Sequence, residues 1–131
     1  MIELKQISKS EFKTELLRNK ESVPWFIWYV HNRIDRIYFK FLFKNKIHFG
    51  SCFCIINTHS IEIGILINQE FQNKGFGTAL LSQLIRERKK TLVFKVSISN
   101  FPSLKLFQKF ASLGELNIHK GEKNIIFTTM K

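Results

Sequence analysis

The stretch that most constrains this chain is 61–85, IEIGILINQEFQNKGFGTALLSQLI. It opens as a short apolar run over 61–67, the length and composition of a buried strand. A polar connection follows over 68–74, and the spacing then predicts a helix from about Gly75. On that helix Phe76, Leu80 and Leu84 recur on one face with Leu81 and Ile85 beside them, a 3.6-residue period. The junction itself reads Gln72-Asn73-Lys74-Gly75-Phe76-Gly77-Thr78. Its two glycines remove Cβ atoms where several backbone N–H groups point the same way. The first N–H groups of a helix lack an internal acceptor, and the macrodipole adds roughly half a positive charge there. The junction is a candidate seat for a phosphate or pyrophosphate.

Two phosphate motifs fail on spacing. A Walker loop, G-x-x-x-x-G-K-[ST], is absent. A dinucleotide fingerprint needs a third glycine where this chain has Leu80. The segment does match Q/R-x-x-G-x-G/A, as Gln72-x-x-Gly75-x-Gly77. It resembles the coenzyme A pyrophosphate loop of the GNAT N-acetyltransferase superfamily.

The rest of the chain, taken in order, reads as alternating strands and helices. A strand over the first residues is followed by a helix over 11–19, capped by Ser8 or Ser10, with Phe12, Leu16 and Leu17 on one face. ESVPWFIWYVHN, 21–32, predicts a second helix with Pro24 in its first turn. Strands are expected over 36–43 and 47–56, turning at Lys44-Asn45-Lys46, and the strand 61–67 follows the turn 57–60. After the long helix come a strand over 91–97, parallel to its predecessor, a helix over 101–112 and a closing hairpin over 114–130. The order β-α-α-β-β-β-α-β-α-β-β matches the α/β (α+β) GNAT fold, a mixed central sheet of about seven strands with four helices. A second motif agrees: Asn100, Ser103, Leu106, Phe107 and Lys109 fall where the superfamily often has Asn and then S-x-x-L-Y-x-K. Asn100 also reads as a plain helix cap.

Composition bounds the setting. At 131 residues one domain is expected, spanning 1–131. A hydrophobic fraction of 44% with 14 Phe argues against disorder. No apolar run reaches the ~18 residues of a membrane span, and MIELKQISKSEF is too charged for a signal peptide. Cys52 and Cys54 share a strand face ~7 Å apart, beyond easy disulfide reach, and a cytoplasmic home is expected. The net charge of +11 raises nucleic acid as a partner. Only Arg86, Arg88, Lys89 and Lys90 cluster, however, and they fall in the last turns of a helix, where cations offset the dipole.

The resemblance implies acetyl coenzyme A as acyl donor, no metal, and an amine acceptor. The loop Gln72, Asn73, Lys74, Gly75, Phe76, Gly77 and Thr78 would hold the pyrophosphate. Backbone groups at Ile65, Leu66 and Ile67 would pair with the pantetheine arm, which Asn100, Ser103 and Phe107 would face. The attacking amine must be neutral, and at a pKa of about 10 only about one in a thousand is neutral at pH 7. Glu62 is the first candidate for the base and His59 the alternative; Tyr29, His31 and His119 are weaker options. Each also reads as an ordinary solvated or strand-start residue. Many superfamily members protonate the departing thiolate with a Tyr where this chain has Phe107, and loss of a general acid typically costs about 10²–10⁴-fold. Phe107 and the lack of a secure base leave open a catalytically degenerate binding module, and the net charge of +11 alone leaves open a nucleic-acid-associated acetyltransferase, for example one acting on aminoacyl-tRNA. The acceptor and the choice between monomer and homodimer are not encoded in any motif.

Overall fold

The computed structural model describes residues 1–19, 37–98 and 101–129. The helix expected over 21–32, with Tyr29 and His31, lies outside the described residues, as does Asn100. The described elements are β1 (Ile2–Ile7), α1 (Lys9–Asn19), β2 (Ile37–Lys44), β3 (Ile47–Ile56), β4 (Ser60–Ile67), α2 (Phe76–Glu87), β5 (Thr91–Ser97), α3 (Phe101–Ser112), β6 (Leu116–Lys120) and β7 (Asn124–Thr129). A single 3-10 turn, Gln69–Phe71, interrupts the connection between β4 and α2. Among the described residues there are three α-helices where the sequence reading has four, and the expected order otherwise holds.

The strands form one sheet ordered β1-β2-β3-β4-β5-β7-β6. Every pairing is antiparallel except β4 with β5, which the α2 crossover makes parallel. Local chemistry sets the turns. Asn45 and Lys46 adopt φ 51° and 67°, the doubly left-handed two-residue turn that joins β2 to β3. Ser8 caps α1 reciprocally with Glu11: Glu11 N–H donates to Ser8 Oγ and Ser8 N–H to Glu11 Oε1, both at 3.1 Å.

Alternation along the strands gives the sheet two buried faces. On one, Leu42, Cys52, Ile63, Phe94 and Phe127 pack with Leu80, Leu81 and Ile85 of α2 and Leu104, Phe107 and Phe110 of α3. On the other, Phe12 of α1 lies against Phe39 and Phe53, with ring centroids 4.6 and 6.4 Å apart. Gln83, on the buried side of α2, fastens the edge strand β1: its Nε2 donates to Ile2 O and its Oε1 accepts from Ile2 N–H, both at 2.8 Å. Cys52 and Cys54 share a face as free thiols. The hydrogen bond between them, then burial, pushes Cys52 well above the usual thiol range, while the same bond draws Cys54 down.

Candidate functional site

The site begins where the sheet comes apart. β3 pairs with β4 from Ile56↔Ile61 to Gly50↔Ile67, the whole apolar run. β5 pairs with β4 only at Ser60↔Thr91, Ile61↔Leu92 and Glu62↔Val93. Beyond Glu62 the two strands diverge, because β5 follows its antiparallel partner β7, from Val93↔Thr128 to Ser97↔Asn124. The β4 backbone edge from Ile63 to Ile67 therefore has no ladder to β5, and a cleft of about 510 Å³ opens between them. Ile63, Ile65 and Ile67 line it from β4, Phe94, Lys95 and Val96 from β5, and Ser103, Leu106 and Phe107 from α3.

The Gly75 junction forms one end of this cleft. Gln72 turns back, its Nε2 donating to Ile67 O at 3.0 Å, and so ties the loop to the end of β4. Asn73 and Gly75 take left-handed φ values of 60° and 86°. Gly75 is the N-cap of α2 and offers no side-chain cap bond; the first helical bond runs from Ala79 N–H to Gly75 O at 3.0 Å. The N–H groups of Phe76, Gly77 and Thr78 precede that bond and have no acceptor within the helix. A Cβ on Gly75 would meet nothing within 4 Å, so this glycine serves the backbone angle and leaves open room. A Cβ on Gly77 would lie 3.0 Å from Leu106 Cδ2, so this one lets α2 and α3 approach.

The cleft brings together Ile65, Ile67, Gln72, Asn73, Gly75, Gly77, Thr78, Ser103 and Phe107 from the sequence reading. Leu66 is buried on the opposite face, Lys74 is exposed, and the Phe76 ring packs against the tilted Phe49 ring and edge-on to Phe71, centroids 4.8 and 5.4 Å away; none of these three side chains lines the cleft. Lys95, Lys105 and Lys109 do, and no described carboxylate does. That charge balance suits an anionic occupant. In the basic cluster at the end of α2, Arg88 donates to Ile85 O of the last helical turn, and Lys90 Nζ donates to Asn57 O in the β3–β4 turn at 3.3 Å.

The acid–base groups are arranged unevenly. Glu62 is 7% exposed and sits at the last β4 position paired to β5, where the opening starts. Lys95 Nζ lies 3.3 Å from its Oε1, from the parted side. Lys95 escaped the sequence reading; the available signal was one charge inside the apolar strand TLVFKVS. His59 is exposed in the turn before β4, at the end of the strand away from the glycine loop, and does not line the cleft. His119 is exposed on β6, its Nε2 3.4 Å from Thr128 Oγ1. Phe107 is buried between Phe94 and Phe127, centroids 5.0 and 5.2 Å away, and presents only hydrocarbon.

A parallel strand pair parts over an uncapped, glycine-bearing helix N-terminus, an arrangement able to receive a phosphate-bearing ligand. The chain belongs to the acetyltransferase (GNAT) family, whose model matches residues 2–111. No curated protein matches it in sequence. Solved structures agree on the fold. The Campylobacter jejuni N-acetyltransferase PseH in complex with acetyl coenzyme A is 21% identical at TM-score 0.65, covering 100% of this chain and 99% of that one. The ribosomal-protein-S18-alanine N-acetyltransferase from Escherichia coli is 20% identical at TM-score 0.66, with 100% and 96% covered. Mutant forms of the spermidine/spermine N-acetyltransferase SpeG from Vibrio cholerae are 14% identical at TM-score 0.62, with 98% and 93% covered. Among the described residues no helix is long and apolar enough to cross a membrane.

Proposed function

We propose that the protein moves an acetyl group from acetyl coenzyme A to a primary amine by direct attack while both are bound. The observation that carries this is the uncapped N-terminus of α2 opening onto the gap between β4 and β5. The N–H groups of Phe76, Gly77 and Thr78 would take the pyrophosphate, with Gly75 leaving room for it. Lys105 and Lys109 line the same cleft and add positive charge. The parted edge of β4 at Ile65, Leu66 and Ile67 offers backbone groups to an extended arm as an added strand would. Donor N–H groups aimed at the thioester oxygen stabilise the negative charge that grows there on attack.

Bound acetyl coenzyme A supplies the activated acyl group, and this chain's residues supply position and proton traffic. Glu62 stands at the root of the gap and would accept the proton that the attacking amine must lose. His59 is the alternative, by way of water. Phe107 gives no proton, so the sulfur departs as thiolate or is protonated by solvent; a thiolate whose parent pKa is near 8.5 is a fair leaving group. The acceptors named for the structural neighbours, a protein alanine and polyamines, define the first compounds to screen. A second reading, binding without turnover, is favoured by Phe107 alone. Thiol release measured with a panel of amines separates the two: acceptor-dependent release supports transfer, and tight binding with no release on any amine supports the binding module.

A further inference from the structure

The reach of Glu62 is already occupied by an amine. An external acceptor, on the reading above, must place its nitrogen within hydrogen-bonding distance of Glu62 and beside the thioester carbon in the gap. Lys95 Nζ meets the first condition at 3.3 Å, and the Lys95 side chain lines the gap itself. Its position on β5 explains why. Val93 is the last β5 residue paired to β4, so the side chain two residues on, on the same face as Glu62, leaves the strand where the sheet has opened. Its neighbours Phe94 and Val96 belong to the α2–α3 core and wall the cleft with hydrocarbon from the other side. Lys105 and Lys109 also line the cleft but are exposed on α3.

We propose that Lys95 is an acyl acceptor within the chain, acetylated on Nζ by acetyl coenzyme A bound in its own cleft. The proposal rests on the cofactor reading above. Glu62 takes one proton from the Lys95 ammonium and passes it to water. The freed lone pair attacks the acetyl carbon, forming the C–N bond as the C–S bond breaks. The nitrogen's second proton, shed as the amide forms, goes to the departing sulfur, giving Nε-acetyl-Lys95 and coenzyme A. Nothing is oxidised or reduced. The modified side chain has lost its cation, so its ion pair with Glu62 ends.

The test incubates the full chain with acetyl coenzyme A carrying a deuterated acetyl group, followed by intact mass and peptide mapping. The expected result is label concentrated at Lys95, saturating over the concentration range in which calorimetry shows binding. Excess desulfo-coenzyme A should suppress that label and leave exposed Lys89 and Lys120 unaffected. Glu62→Gln should slow labelling of Lys95 by about 100-fold or more, the range of a lost general base, again sparing Lys89 and Lys120. Should that variant fail to fold, the competition experiment decides alone. Binding by calorimetry with Lys95 labelled no faster than Lys89 and Lys120 would overturn the proposal. Absence of binding would overturn the cofactor reading and this one with it, so the two failures look different.

Discussion

The two edges of β4 are built from the same apolar run and behave as opposites. Towards β3 it pairs at seven positions, and towards β5 at three. The glycines show what each edge is for. On the β3 side a Cβ at Gly50 would lie 2.2 Å from Leu66 O, and one at Gly64 would lie 2.1 Å from the Phe53 ring. These glycines let atoms meet. On the parted side Gly75 has nothing within 4 Å of a built Cβ, and its φ of 86° is what only glycine adopts cheaply. That glycine keeps a space open. One edge of the strand holds the fold together, while the other has no ladder to β5 beyond Glu62 and, on the proposed function, offers its backbone groups to the ligand.

Substitutions on the parted edge should therefore remove function and spare the fold, and the reverse should hold on the paired edge. The largest effect is expected for Gly75→Glu, which sets a side chain and a negative charge at the α2 N-terminus. Its affinity for acetyl coenzyme A should fall by at least about 100-fold in a calorimetric titration, against a left-handed strain of only about 1–2 kcal/mol. Glu62→Gln should lower the acceptor-dependent rate by about 100-fold or more with little change in acetyl coenzyme A affinity, read from initial rates and titration together. On the paired edge, Gly64→Val overpacks the Phe53 ring and should cost about 1–3 kcal/mol in urea unfolding. A Gly64→Val protein as stable as the wild type would show that the paired edge does not depend on this close approach. The smallest effect is expected for Phe107→Tyr. It adds a proton donor to a cleft wall and should raise thiol release by up to about tenfold, well short of a fully placed acid.

Legibility follows the same division. The glycine loop could be read because its work is done by the backbone, and backbone demands appear in sequence as Gly at fixed spacing. The strands 47–56 and 91–97 and the helix 101–112 also end where the pattern puts them. The expected last hairpin starts at 114, but β6 begins at Leu116. Gly114 is used to end α3: it takes φ 81°, donating to Ala111 O while Glu115 N–H donates to Phe110 O, both at 3.0 Å. Gln83 was illegible for another reason. It is a polar residue on a buried helix face, and its partner Ile2 is 81 positions away. The Lys95–Glu62 pair is hidden in the same way, since it depends on where two strands part.

The proposed function requires the gap between β4 and β5 to hold acetyl coenzyme A. The most direct test is calorimetric titration of the folded wild-type chain with that compound. One site of micromolar affinity is the predicted result. A folded protein, shown so by its thermal melt, that takes up no acetyl coenzyme A would rule out that site.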